Sequence, residues 1–227
     1  WAAEHVAAGM AVWHPGGQAG PARLDTLYGA YKPSGRLTVS FPRAVGQEPL
    51  YYNHLSTGRP LGDVDDSHLP ANGDEKYHSR YIDRPASALY PFGFGLSYTK
   101  FSYTPPTLSA KTFNSADLNA GRATVKVSAD VRNDGAVAGD EVVQLYINQR
   151  GTSVALPVRE LKGFQRVSLK PGESKHVEFT LSREELSFWN IDMKDVVEPA
   201  QVKVWVAGSS AAGTPAGEPA ASGESAL

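Results

Sequence analysis

The side chains best able to do chemistry gather in the first half of this sequence. His54, His68 and His78 stand near Asp63, Asp65, Asp66, Asp74 and Glu75. Imidazole and carboxylate together form the donor set of a zinc or calcium site. Their spacing argues against both. No pair of these histidines has the close helical or strand separation of a dedicated zinc motif. The acids at 63, 65 and 66 lack the glycine and terminal glutamate of a calcium loop in register. The stretch therefore reads as a solvated polar loop, with no metal and no cofactor. Nothing matches Gly-x-Ser-x-Gly, and Gly93-Phe94-Gly95-Leu96-Ser97 lacks both the second half of a dinucleotide fingerprint and a following helix. Two carboxylates about 5–9 Å apart could cleave a glycosidic bond. The sequence does not show which acids would meet, and most read as surface solubilisers.

Around these residues, 43–89 has almost no periodicity and carries Pro49, Pro60, Pro70 and Pro85. Tyr51-Tyr52-Asn53-His54 and Tyr77-His78-Ser79-Arg80-Tyr81 are too aromatic for disorder. A loop this long is functional or wrapped over a neighbouring surface. It leads into Tyr90-Pro91-Phe92-Gly93-Phe94-Gly95-Leu96-Ser97-Tyr98-Thr99-Lys100-Phe101, where large rings alternate with glycines that permit conformations closed to other residues. This segment is expected to be a buried hinge between two domains.

Before the loop, Gly9-Met10-Ala11-Val12-Trp13 suits a buried strand. Residues 18–28 favour a helix with Leu24, Leu27 and Tyr28 on one face, Pro21 in its first turn and Gly29 ending it. Arg36-Leu37-Thr38-Val39-Ser40-Phe41 alternates as a strand should, stopped by Pro42. After the hinge the signals are strands. Residues 123–131, 141–147, 160–169, 176–181 and 201–206 are extended stretches, turned at Asn133-Asp134-Gly135 and Lys170-Pro171-Gly172-Glu173. Ser182 with Glu185 forms a capping box for one short helical turn. This spacing indicates a β-sandwich of immunoglobulin or fibronectin-III type, with Val125, Val127, Val143, Leu145, Phe179 and Val204 inside. Residues 211–227 are small and polar and are expected to be a flexible tail.

Composition limits the partners. The chain is 41% hydrophobic and 20% charged, with net charge −2 and no cysteine. That balance gives no electrostatic case for nucleic acid or an anionic membrane, and no apolar run is long enough for a membrane span. Trp1 to Gly9 has neither an initiator methionine nor a basic leader, which suggests a piece of something longer.

Several motifs in order carry a resemblance. Trp13-His14-Pro15-Gly16-Gly17-Gln18-Ala19-Gly20, Lys32-Pro33-Ser34-Gly35-Arg36-Leu37, Phe41-Pro42-Arg43, Gly58-Arg59-Pro60 and the hinge resemble the end of the second domain of glycoside hydrolase family three. Gly139-Asp140-Glu141-Val142-Val143-Gln144-Leu145-Tyr146, Pro157-Val158-Arg159-Glu160-Leu161-Lys162-Gly163-Phe164 and Phe188-Trp189-Asn190 continue it, and are similar to the periplasmic bacterial β-glucosidases of that family. Gln18 and Ala200 depart from the usual glutamate and glycine. The tail from Ala211 does not resemble the family's final strand, which bears on how the sandwich closes at that edge.

The resemblance implies a mainly β fold: a fibronectin-III-like sandwich (104–210) preceded by the last unit of an α/β sandwich domain (1–42) and a long ordered loop with its aromatic hinge (43–103). It implies hydrolysis of β-glucosides by a retaining mechanism, with an aspartate nucleophile in a barrel and a glutamate acid/base in the α/β domain. No residue here matches either motif, so no catalytic residue is assigned. Tyr52, Asn53, His54 and Arg59 are the candidates to lie near a sugar. The substrate, a β-glucoside or oligosaccharide, would be bound through domains outside this chain, and the location would be periplasmic or secreted. A non-catalytic structural, dimerisation or carbohydrate-binding module is the alternative. Apolar residues around Met10, Val12, Trp13, Leu24 and Leu27 would be exposed in this chain alone, so self-association is expected.

Overall fold

Regular structure is sparse before residue 100. In the computed structural model, which describes residues 1–59, 77–81 and 84–213 and the backbone of 224–226, the chain opens with α1 (Ala2–His5) and α2 (Ala19–Leu27). Pro21 lies in the first turn of α2, where a missing N–H leaves no bond unmade. Gly29, at φ 75, ends the helix in the left-handed conformation that glycine adopts freely. Leu24, Leu27 and Tyr28 are all exposed.

The strand expected at 9–13 does not form. Among the described residues no strand lies beside it, and Trp13 takes φ 48, outside the extended range. The alternating run at 36–41 is also not a full strand, because the chain bends at Thr38 and Val39. Its two ends nevertheless pair with the hinge. Leu37 N donates to Phe94 O at 2.8 Å, Gly93 N to Leu37 O at 2.7 Å, and Phe41 N to Tyr90 O at 2.8 Å.

A short 3-10 turn, Val45–Gln47, begins the long loop. Its buried Gln47 accepts from Arg43 N and donates to Pro85 O at 2.8 Å, tying 43–47 to 85 across the loop. Residues 60–76 and 82–83 lie outside the described residues, and with them His68, Asp63, Asp65, Asp66, Asp74 and Glu75.

From residue 101 the expected strands appear: β1 (Phe101–Tyr103), β2 (Thr107–Leu108), α3 (Ser115–Asn119), β3 (Val125–Asn133), β4 (Gly139–Arg150), β5 (Glu160–Leu169), β6 (Ser174–Leu181), α4 (Arg183–Leu186), the pair β7 (Phe188–Trp189) and β8 (Asp195–Val196), β9 (Gln201–Ala207) and β10 (Glu224–Ala226). In one sheet β3 is central, pairing β6 along one edge and β1 and β2 along the other; the second sheet runs β10-β9-β4-β5. All pairings are antiparallel. α4 has the expected capping box, with Ser182 and Glu185 satisfying each other's end of the helix. α3 was not signalled by strand periodicity; Asn114 caps it by accepting from Ala116 N at 2.8 Å.

Alternation explains the core. Val125, Val127, Ala129 and Val131 of β3 and Val177, Phe179 and Leu181 of β6 face Val143, Leu145 and Ile147 of β4 and Val202, Val204 and Val206 of β9. The six residues expected inside are all 8% exposed or less. β4 is buried on its other face as well, where Tyr146 joins Trp205, Ala207 and Ala212 under Tyr52, Phe92 and Leu161.

Two expectations need correction. The hinge is not wholly buried: Leu96 and Tyr98 are exposed and only Gly93 is fully covered among residues 90–98. Nor is the tail flexible from its start. Ser209, Ser210 and Ala212 are buried, Ser210 N donates to Phe92 O at 2.9 Å, and Arg159 donates to the carbonyls of Ser210 and Ala212. Glu224–Ala226 then pairs along β9, covering that edge.

Removing core volume should show which layer holds the fold. Leu145→Ala is expected to lower unfolding free energy by about 2–5 kcal/mol in urea titration. Val45→Ala, at a side chain 88% exposed, is expected to change it by less than about 0.5 kcal/mol. Similar small losses at both positions would contradict this core.

Candidate functional site

The rings of the hinge point two ways because the chain turns at Phe92-Gly93, where Gly93 takes φ 79 and Phe94 N donates to Pro91 O at 3.1 Å. Tyr90 and Phe94 stack on each other at 5.2 Å and continue through Phe41, 6.1 Å from Tyr90, to Trp13, 6.0 Å from Phe41. Phe92 points the opposite way. It stacks on Tyr52 at 4.3 Å, and Tyr52 meets the edge of Tyr146 on β4 at 6.0 Å. One short segment thereby joins the N-terminal residues to the outer face of the sandwich.

Polar groups fix the register of this seam. Gly93, at φ 79, passes so close to β4 that a Cβ there would overlap Gln144 Oε1 and lie 2.9 Å from the Tyr146 hydroxyl. Gln144 donates to Gly93 O at 3.1 Å and to Gly208 O at 2.6 Å. Gly95 is forced differently: a Cβ would overlap the carbonyl of Gly35. Next to it Arg36 pairs with Glu141 at 2.8 Å, with side chains only 9% and 6% exposed, and Tyr103 donates to the other oxygen of Glu141 at 2.9 Å. Arg159 completes the rim by lying over Trp205, 4.1 Å from its ring centre.

The four residues picked from sequence share one loop but not one role. Tyr52 is half-buried, its hydroxyl accepts from Leu161 N at 3.4 Å, and burial pushes its phenol pKa up. It is a post that holds the loop to the sheet. Asn53, His54 and Arg59 are exposed. His54 Nδ1 lies 2.9 Å from Leu55 O, and its backbone carbonyl accepts from Val158 N at 2.9 Å. Arg59 O accepts from Ser79 N at 2.8 Å. The seam residues Arg36, Glu141 and Gln144 were missed by sequence reasoning. Their one trace is a polar residue inside the apolar run of β4.

A general acid for glycoside cleavage needs a carboxyl whose pKa is raised. Among the described residues, every carboxyl with a displaced pKa is displaced downward. Asp140 accepts from Ser168 Oγ at 2.6 Å and pairs with Arg166. Asp195 is lowered by Ser187 and then by Arg183. Glu198 is lowered by the backbone N–H and hydroxyl of Ser153. For Glu185 partial burial pulls upward, but the hydrogen bonds from Ser182 outweigh it. These acids are structural anions. No cluster of three or more metal-ligating side chains occurs among the described residues.

Comparison with known proteins accords with this division. Residues 1–98 match the glycosyl hydrolase family 3 C-terminal domain, and residues 141–210 match the fibronectin type III-like domain. A periplasmic beta-glucosidase of Salmonella typhimurium is 43% identical over 202 residues, which is 89% of this chain and 25% of the relative. A beta-xylosidase of Formosa agariphila is 40% identical over 210 residues, 92% of this chain and 26% of its own length. The crystal structure of a beta-glucosidase from Listeria innocua in complex with glucose superposes with TM-score 0.78 at 37% identity, over 96% of this chain and 27% of that one. The chain thus spans about a quarter of the length of these relatives.

Two outcomes follow from the site. Arg36→Met should leave Glu141 buried without its cation and destabilise the chain by about 3–5 kcal/mol in urea unfolding. A loss below about 0.5 kcal/mol would show that the pair does not hold the seam. The lowered carboxylates also set a pH dependence. Their stabilisation is complete above the unfolded-state values, near pH 5, and disappears as pH falls through the lower folded values. Unfolding midpoints measured from about pH 5 down to pH 3 should therefore decline, and Glu185→Gln should flatten the decline. An unchanged slope in that variant would remove Glu185 from the explanation.

Proposed function

Because the chain belongs to glycoside hydrolase family 3, as the C-terminal portion of its enzymes, we propose that it serves within a β-glucosidase-like hydrolase acting on β-glucosides. The observation that carries this reading is the alignment of nearly the whole chain with relatives named for β-glucosidase and β-xylosidase activity. In this role the sandwich and its seam are scaffold. The nucleophile and acid/base belong to other parts of the enzyme in this reading, which is supported by the engagement of Asp140, Glu141, Glu185, Asp195 and Glu198 as structural anions.

In this reading the exposed group Asn53, His54 and Arg59 lies beside the sugar, on a loop that Tyr52 pins to the sandwich. Neutral and cationic donors of this kind suit hydroxyl recognition. The exposed side chains of Met10, Trp13, Leu24 and Leu27 face a second protein surface, either another copy or a companion domain. The name of the Salmonella relative supports a periplasmic location; no helix among the described residues is long and apolar enough to cross a membrane.

The test compares the purified chain with an enzyme that also carries the family's other domains, using 4-nitrophenyl β-glucoside and β-xyloside. The chain alone is expected to give no turnover and the larger enzyme to hydrolyse the glucoside. His54→Ala and Arg59→Ala in that enzyme should raise KM while leaving the melting temperature unchanged. Turnover by the chain alone, abolished by changing one of its own Asp or Glu residues, would falsify the proposal.

A further inference from the structure

At the end of the sandwich away from the seam, the interior row of β4 finishes on a polar residue. Val143, Leu145 and Ile147 face the core, and Gln149 is the next position on that face, opposite Val202 of β9. Gln149 is 6% exposed, and its carboxamide makes no hydrogen bond among the described residues. Its amide is not sealed from solvent, so it can meet a ligand without leaving the fold. It lines a recess of about 370 Å³, within the range of small-ligand clefts.

The rest of the lining is mixed in a particular way. Leu186, Val197 and Val202 form an apolar floor, and Phe113 contributes an aromatic ring. Thr112 and Ser115 add hydroxyls. The one charged group in the lining, Glu198, is already held: its oxygens accept from Ser153 N and Ser153 Oγ, each at 2.7 Å, and from Asn190 Nδ2 at 3.2 Å. Asn119 fixes the recess by clamping Val197, donating to its carbonyl and accepting from its N–H, both at 2.8 Å. Trp189 and Ile191, which flank Asn190 in the chain, are exposed.

We propose that this recess binds a saccharide unit, with the Gln149 carboxamide hydrogen-bonded to sugar hydroxyls and the sugar's C–H face against Phe113. The chemistry selects the class. An amide offers two donors and an acceptor, matching vicinal hydroxyls, and an aromatic ring packs against apolar surface. A held carboxylate disfavours an anionic ligand. The inference rests on the recess and Gln149, so it stands or falls separately from the activity proposed above.

The experiment titrates the chain with glucose, xylose, cellobiose and glycerol, read by saturation-transfer NMR, beside Gln149→Leu. Glucose, xylose or cellobiose is expected to bind at millimolar concentration, and Gln149→Leu to weaken binding by about tenfold or more, the equivalent of one or two hydrogen bonds. The variant should melt no lower than the parent, since the amide bonds no other part of the described chain and leucine fits the apolar floor. Should Gln149→Leu fail to fold, Thr112→Val, at the exposed mouth, provides the same readout with a smaller loss. A recess that takes up water only, seen as no saccharide binding, would overturn the proposal. So would equal binding by the variants and the parent, or glycerol binding as well as the sugars.

Discussion

A guanidinium and a carboxylate, each nearly sealed from water, join the two parts of this chain. Once Arg36 and Glu141 are buried together, neither can leave without stranding the other's charge. Their pairing places residues 35–37 over the start of β4. That placement brings the Gly35 carbonyl against Gly95 and leaves the hinge one path, across Gln144 and Tyr146. Tyr90 and Phe94 then fall in one ring stack and Phe92 in the other because the chain turns at Phe92-Gly93, with Phe94 N bonded to Pro91 O. The ion pair does not have to be strongly stabilising to do this. Its effect is to specify one docking register.

The same seam explains why β4 is apolar on both faces. One face packs in the sandwich core, and the other is roofed by Tyr52 and Phe92. The long loop needs little secondary structure of its own because Gln47 ties it internally and Tyr52, His54 and Leu55 tie it to β5 and the segment before it. A scaffold built this way can hold exposed polar side chains at a fixed position. It also engages its own acids: Glu141 in the seam, Asp140 with Arg166 and Ser168, Glu185 in a helix cap and Glu198 beneath Ser153. Held in this way, these four carboxylates serve the fold.

What the sequence disclosed follows from the range of each interaction. The period of two in β3 and β6, the turn at Lys170-Pro171-Gly172-Glu173 and the capping box at Ser182 and Glu185 are local patterns, and each was legible. So was the need for glycine at 93. The runs at 9–13 and 36–41 show the limit. Both have strand-like composition, but a strand also needs a neighbour, and the neighbour that 36–41 finds is the hinge, about fifty residues on. Arg36 and Glu141 are 105 residues apart, Gln47 and Pro85 are 38 apart, and no periodicity announces either contact. Tyr52 was picked out for its ring beside Asn53 and His54; nothing local said that the ring turns inward. The Gln149 recess was invisible for the same reason, since its floor comes from three distant stretches of chain.

The central claim is that residues 36–41 and 89–94 form one cooperative body with the sandwich. Native-state hydrogen exchange at the amides of Leu37, Phe41 and Gly93 tests it most directly, because each donates across the seam. These amides are predicted to open with the same free energy and the same denaturant dependence as Leu145 and Val204 in the core. Rapid exchange at all three while the core amides stay protected would contradict the account, showing a sandwich that folds without its seam.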